Sequence, residues 1–391
     1  MEKDRNQPAS RSGAHGRGVL RNAALNAALI LGSIVLFLAF CEGVLFRFLL
    51  LPSDAPPNVY VDGLVRLQPG SSGVWRIGDD LAGHFRVNAQ GWNSGHASYA
   101  QAPPPEGVDR IAIIGDSFVE ALQVDYDASL AELLEQSGAG RTQVYRFGVS
   151  GAPLSQYLLM ARRVAHAYRP DVIVLVLVHN DFIESYANVP GRYTSSFLKF
   201  RMKEGEVVEE TAPAPYRVGW RDWLRQTATL RYLYYRRKLS PETILAQLPA
   251  VPGRPSGVPA YQANVALSPM QMERENITGA TRYALGQFRR LAEEYRFRPL
   301  VLMDGDRRAI EAEMDSAPLY REGALWLNAM AREAAQAEGM AFIDLQTAFE
   351  ADWRAHHRPL SFVSDNHWNA RGHAIAAQAL RDYLVENPLS P

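Results

Sequence analysis

The run VIVLVLV at residues 172–178, followed by His179, Asn180 and Asp181, limits the possible folds more than any other stretch of the chain. It is branched and apolar with no alternation, so neither face of a strand built from it can meet water. Such a strand fits inside a parallel sheet covered by helices on both sides. The flanking text agrees with that placement. Upstream, RIAIIGDSF reads as a short buried strand ending in a tight turn, ASLAELLEQSG as a helix closed by glycine, QVYRFGVSG as strand and turn, and SQYLLMARRVAHAYRPD as a helix. Downstream, a helix over about residues 278–295 leads into the strand PLVLMDGD, and the helix ALWLNAMAREAAQAEG leads into the strand MAFIDL. This alternation predicts an α/β sandwich with a mostly parallel sheet and right-handed crossovers.

Residues 26–51, NAALILGSIVLFLAFCEGVLFRFLLL, are long and apolar enough to cross a bilayer, which takes roughly 20 helical residues. Lys3, Arg5, Arg11, Arg17 and Arg21 precede the run against only Glu2 and Asp4, a bias that holds the N-terminus in the cytoplasm. The stretch exceeds a cleaved signal peptide's apolar core, about 7–15 residues, and has no clean small-residue cleavage site. Phe40 before Cys41 does not suit lipoprotein processing. Glu42 and Arg47 lie in the outer half, where long side chains reach the interface. The expected layout is a cytoplasmic tail over 1–22, a transmembrane signal anchor over 23–51, an extracytoplasmic lead-in lobe over 52–105, and a main domain over 106–391. The expected location is a bacterial inner membrane, with a single pass and the main domain in the periplasm.

Within the main domain the strand and helix rhythm lapses over about residues 186–268, a segment rich in Pro, Arg and aromatics that reads as an insertion. Its stretch WRDWLRQTATLRYLYYRRKL is expected to form one basic aromatic helix whose Trp220, Trp223, Leu224, Leu230 and Leu233 pack on the domain. Such a face could also rest on a membrane or cover a site. With 41 basic and 42 acidic residues, the chain carries no charge excess that would suit nucleic acid. Its single cysteine, Cys41, can form no internal disulfide.

The chemistry-bearing residues lie at the ends of the expected strands. Ser117 sits at the turn after IAIIG, where a strand-to-helix junction presents a hydroxyl at the C-terminal edge of the sheet. A serine nucleophile needs a base and oxyanion donors. The backbone N–H of Ser117, at a helix start, and that of Gly151, in GVSGAPL, are candidate donors, with the Asn180 side-chain amide as a third. FVSDNHWNARGH supplies His367 as general base and Asp365 as the carboxylate that orients it. His356, His357 and His373 lie nearby in sequence, but no His-Glu-x-x-His or cysteine spacing supports a metal site, and no cofactor is expected. His373 is expected to pack at the start of the last helix.

From Arg110 onward these blocks resemble, in order, those of the SGNH or GDSL-like hydrolases. Gly115-Asp116-Ser117 is similar to the nucleophile block, Gly151 to the glycine block, Asn180-Asp181 to the asparagine block, and Asp365 with His367 to the last block. The resemblance implies a flavodoxin-like three-layer sandwich, no metal, and an acyl-serine intermediate. Two departures stand out. Val178 occupies the usual place of the asparagine block's glycine, and one residue rather than two separates Asp365 from His367. The shorter spacing resembles polysaccharide O-acetyltransferase relatives, and FRVNAQGW resembles lead-ins of membrane-anchored bacterial members. The expected function is hydrolysis of an ester, or acyl transfer from it, with acetyl on an envelope carbohydrate as the substrate. A lysophospholipase or thioesterase at the membrane surface is an alternative, and so is a non-catalytic polysaccharide-binding or envelope-assembly protein.

Overall fold

A computed structural model describes residues 12–188, 193–239, 261–263 and 265–389. The start of the expected tail and much of the insertion's second half lie outside them. The chain enters through the helix Ser12–Phe40, which continues as a wider π-helical segment, Cys41–Leu49. Within these, Leu20–Leu49 has a mean hydropathy of 2.4 and is one helix long and apolar enough to cross a membrane.

Two antiparallel hairpins follow: β1 (Asn58–Val61) with β2 (Leu64–Leu67), and β3 (Ser72–Ile77) with β4 (Leu81–Arg86). The sequence reading takes NVYVDGLVRL at 58–67 and GHFRVNAQGW at 83–92 as strands and turns. It missed β3, and only an isolated bridge between Val87 and Asn93 continues beyond β4. This lobe is sewn onto the rest: Trp92 and Tyr99 share a buried cluster with Tyr145 and Phe147.

The central sheet holds β5 (Asp109–Gly115), β6 (Thr142–Gly148), β7 (Val172–Leu177), β12 (Arg298–Met303) and β13 (Ala341–Asp344), all parallel. Between β7 and β12 the chain forms a hairpin, β8 (Lys199–Lys203) with β9 (Glu206–Thr211), and a short pair, β10 (Tyr261–Gln262) with β11 (Val265–Ala266). The sheet order β6-β5-β7-β12-β13 is the doubly wound flavodoxin-like order. It reverses direction between β5 and β7.

Successive residues of β7 explain why that strand is apolar throughout. Ile173, Leu175 and Leu177 face the helices Leu154–Tyr168, Arg274–Tyr295 and Trp326–Ala337, while Val172, Val174 and Val176 face Leu130–Ser137, Leu345–His356 and Ala370–Glu386. Each such side chain stabilises the sandwich by about 1.5–3 kcal/mol relative to exposure.

The basic aromatic segment departs from expectation. It is not one helix: Trp220–Arg225 is followed by Ala228–Leu230 and a π-helical turn, Arg231–Arg236. The break falls at Thr227, whose hydroxyl caps the second piece, and at Ala228 and Thr229, whose N–H groups are taken by the Glu42 carboxylate at 2.8 and 3.0 Å. Trp220 and Trp223 are 69% and 70% exposed rather than packed.

Candidate active site

β5 ends at Gly115, and Asp116 caps the helix that follows, its Oδ1 accepting the Phe118 N–H at 2.9 Å. Ser117 opens that four-residue helix, Ser117–Glu120, which stops where Ala121 turns left-handed at φ 51°. The helix lies directly on the end of β6, so closely that a Cβ at Gly148 would stand 2.0 Å from the Glu120 nitrogen. Ser117 is therefore raised at the C-terminal edge of the sheet beside the reversal of strand order, where α/β sheets bind their ligands.

His367 and Asp365 come from the loop before the last helix. Nε2 of His367 lies 2.7 Å from the Ser117 hydroxyl, and its Nδ1 is hydrogen-bonded to Asp365. The Asp365 carboxylate also accepts the backbone N–H of His367 at 3.0 Å and pairs with the Lys238 ammonium at 3.0 Å. Burial alone would raise the Asp365 carboxyl. The hydrogen bond and charge of His367, and then Lys238, outweigh that and hold it well below the usual carboxylate range. The structure thus brings Ser117, His367 and Asp365 into one hydrogen-bonded series. The Ser117 hydroxyl also lies 3.3 Å from Asp116 Oδ2.

Of the three expected donors, the N–H groups of Ser117 and Gly151 meet no protein acceptor among the described residues. Gly151 is exposed with φ +72°, a backbone that favours glycine, and open space lies where a side chain would stand. Asn180 sits half-buried after β7, with its amide donating to Glu184 Oε1 at 3.3 Å. It borders the same sheet edge but does not line the cleft above Ser117.

Several supporting residues were missed in the sequence reading. Asp304, just after β12, accepts the Trp368 indole N–H at 2.8 Å and is paired with Arg307. Arg307 in turn donates to Ser361 Oγ at 2.7 Å and to the Asn366 carbonyl at 2.5 Å. Asn369 caps the last helix through the N–H groups of Arg371 and Gly372. The His367 loop is thereby clamped on both sides, with Phe118 against the imidazole at 4.7 Å between ring centroids. Asp-Gly-Asp-Arg after a buried strand was the available signal for Asp304 and Arg307.

Two carboxyls close to Ser117 are pushed up by burial, Asp116 to about 6 and Glu120 to about 7. Glu120 is hydrogen-bonded by the Ser150 hydroxyl. His179 is buried against Asn328 at 2.9 Å. His373 accepts the Leu130 N–H at 3.2 Å near the start of the last helix, and burial drives it down to about 3.

Above Ser117 opens a cleft of about 1110 Å³, with Ser117, Gly151, Asp365 and His367 among its lining and Trp75, Tyr193, Tyr216, Trp220, Tyr234 and Tyr235 along it. A doubly wound α/β sandwich with serine, imidazole and carboxylate hydrogen-bonded in series at its sheet edge defines an ester hydrolase. The chain belongs to the GDSL-like lipase/acylhydrolase family, whose model matches residues 113–375. No curated protein sequence gives a significant match. Among solved structures, the chain is similar to the acetyl xylan esterase AlAXEase (12% identity over 70% of this chain and 99% of that one, TM-score 0.38). It is similar as well to LAE5, an alpha/beta hydrolase enzyme from the metagenome of Lake Arreo, Spain (14%, 71% and 94%, 0.39). A third is a member of the lipolytic protein G-D-S-L family from Veillonella parvula DSM 2008 (14%, 72% and 98%, 0.35).

Proposed function

We propose that the chain cleaves or transfers an acyl group through an acyl-serine intermediate, with Ser117 as nucleophile, His367 as general base and Asp365 as its orienting carboxylate. The hydrogen-bonded series from Ser117 to Asp365 at the floor of an open cleft carries this reading. Ser117 Oγ attacks the ester carbonyl while His367 Nε2 takes its proton, and Asp365 stabilises the imidazolium without itself becoming protonated. The N–H groups of Ser117 and Gly151 donate to the oxyanion, with the Asn180 amide at the same sheet edge as the third donor of this reading. His367 then returns the proton to the leaving alcohol, and water or an acceptor hydroxyl resolves the acyl-serine.

The substrate we favour is acetyl on an envelope carbohydrate. The cleft is wide, open at the surface and edged by aromatic rings, which suits a polymer laid across it. A second reading, hydrolysis of lysophospholipids or thioesters, is favoured by the exposed Trp220 and Trp223, which precede the Ala228 and Thr229 that bind Glu42 at the end of the apolar helix. In either case the Leu20–Leu49 helix is taken to span a bacterial inner membrane once, with the N-terminus cytoplasmic and the hydrolase domain in the periplasm.

The test is p-nitrophenyl acetate hydrolysis by the full chain in detergent, compared with Ser117→Ala. The variant should lose at least about 10³-fold in kcat. Equal rates from two folded proteins would remove the serine mechanism. A preference for longer acyl chains over acetyl would move the assignment to the lipid reading.

A further inference from the structure

The segment that frames the cleft is bound to the end of the apolar helix. Twenty helical residues counted from Ala23, where the expected anchor starts, at about 1.5 Å each, cover the ~30 Å of hydrocarbon and end near Cys41 and Glu42. The stretch Cys41–Leu49 then lies at headgroup level, and it is there that the 220–239 segment attaches. Glu42 takes the N–H groups of Ala228 and Thr229 and the Thr229 hydroxyl at 3.0 Å. Cys41 and Phe46 are buried with Ala228, and Phe46 meets Tyr232 at 4.7 Å between ring centroids. Trp223 is five residues from Ala228, so it lies within about 18 Å of that level even for a fully extended chain.

This segment leaves Val218, Trp220 and Trp223 65%, 69% and 70% exposed, together with exposed Arg217 and Arg221, and of these Arg217, Trp220 and Arg221 also edge the cleft. Asp222, the acidic residue among them, is turned inward and accepts the Gly219 N–H at 2.9 Å. Paired tryptophans with arginines and no exposed carboxylate match the composition of a membrane interface, where indole sits among headgroups and cations meet lipid phosphate.

We propose that residues 217–225 form a seat for the outer headgroup layer of the bilayer, with anionic phospholipid as its ligand, so that the cleft edge at Trp220 opens onto that layer. This rests on the spanning reading of Leu20–Leu49 and deepens it: the chain is held at the surface twice, by the helix and by the seat. Substrates would then reach Ser117 along the plane of the membrane.

The experiment reconstitutes the full chain in phosphatidylcholine vesicles, with or without phosphatidylglycerol, containing phosphatidylcholine brominated near the carbonyl end of its acyl chains. Tryptophan quenching is compared between the native chain and Trp220→Phe/Trp223→Phe. The native chain should be quenched, more strongly with phosphatidylglycerol, and the double variant should lose most of that quenching. Equal quenching in both proteins, or none in the native chain, overturns the seat. If the double variant does not fold, Trp223→Phe alone decides in the same way. Carbonate extraction of the same vesicles reads the span separately: a chain that stays in the pellet with quenching untouched by the substitutions loses the seat and keeps the span.

Discussion

Glu120 shows how burial beside Ser117 links the candidate site to stability. Its carboxyl is raised from 4.5 to about 7 by burial, so the folded state favours the neutral form. Its contribution is fully present below about pH 4.5 and is lost as pH rises through about 7. Glu120→Gln, which keeps shape and stays neutral, should therefore gain stability over the native chain between pH 5 and pH 8, by on the order of 3 kcal/mol. Melting curves across that range check it, and a difference independent of pH would contradict it. The grouping of Ser117, His367 and Asp365 was legible in the sequence because each lies in a short local phrase at the end of an element. Lys238 could not. It meets Asp365 from 127 positions away, and nothing in its own neighbourhood announces the contact. Asp304 likewise reaches Trp368 across 64 positions.

Among the elements, the short helix Ser117–Glu120 is tightly seated on its neighbour. Because a Cβ at Gly148 would collide with the backbone of Glu120, Gly148→Ala must push Ser117–Glu120 off the end of β6. Overpacking of this kind costs about 1–3 kcal/mol, and the displaced hydroxyl should lower kcat well beyond any change in KM. Paired melting and steady-state measurements check both parts, and an unchanged kcat would show that the helix tolerates the shift. The sheet strands were legible because their periodicity and branched residues agree with their burial. The β8–β9 hairpin was overlooked although Lys203-Glu204-Gly205-Glu206 marks its turn, with φ of 51° at Glu204 and 77° at Gly205. The basic aromatic stretch was misread for a different reason: its local pattern favours a continuous helix, but a carboxylate 186 residues upstream takes the N–H groups at its centre.

For the molecule as a whole, the alternation of strands and helices announced a parallel sandwich, while the order of the strands appears only in three dimensions. The N-terminal helix, expected as a membrane anchor, is joined to the domain through Glu42 and the N–H groups of Ala228 and Thr229. Glu42→Ala should free the Ala228 and Thr229 N–H groups and loosen the segment around them. Limited trypsin digestion of the reconstituted chain should then cut within 217–238 faster than in the native protein, and unchanged cleavage would mean that apolar contacts alone hold it. From the Glu42 clamp the chain passes through Arg231, paired with Asp54 at 2.8 Å, and Arg236, bound to the Leu51 carbonyl at 2.6 Å, to Lys238 on Asp365. A soluble version cut at Pro52 discards Glu42, Cys41, Phe46 and Leu51 together. What such a preparation reports in a cuvette would be the behaviour of a hydrolase whose mooring line, tied at its far end to the Asp365 carboxylate, has been let go.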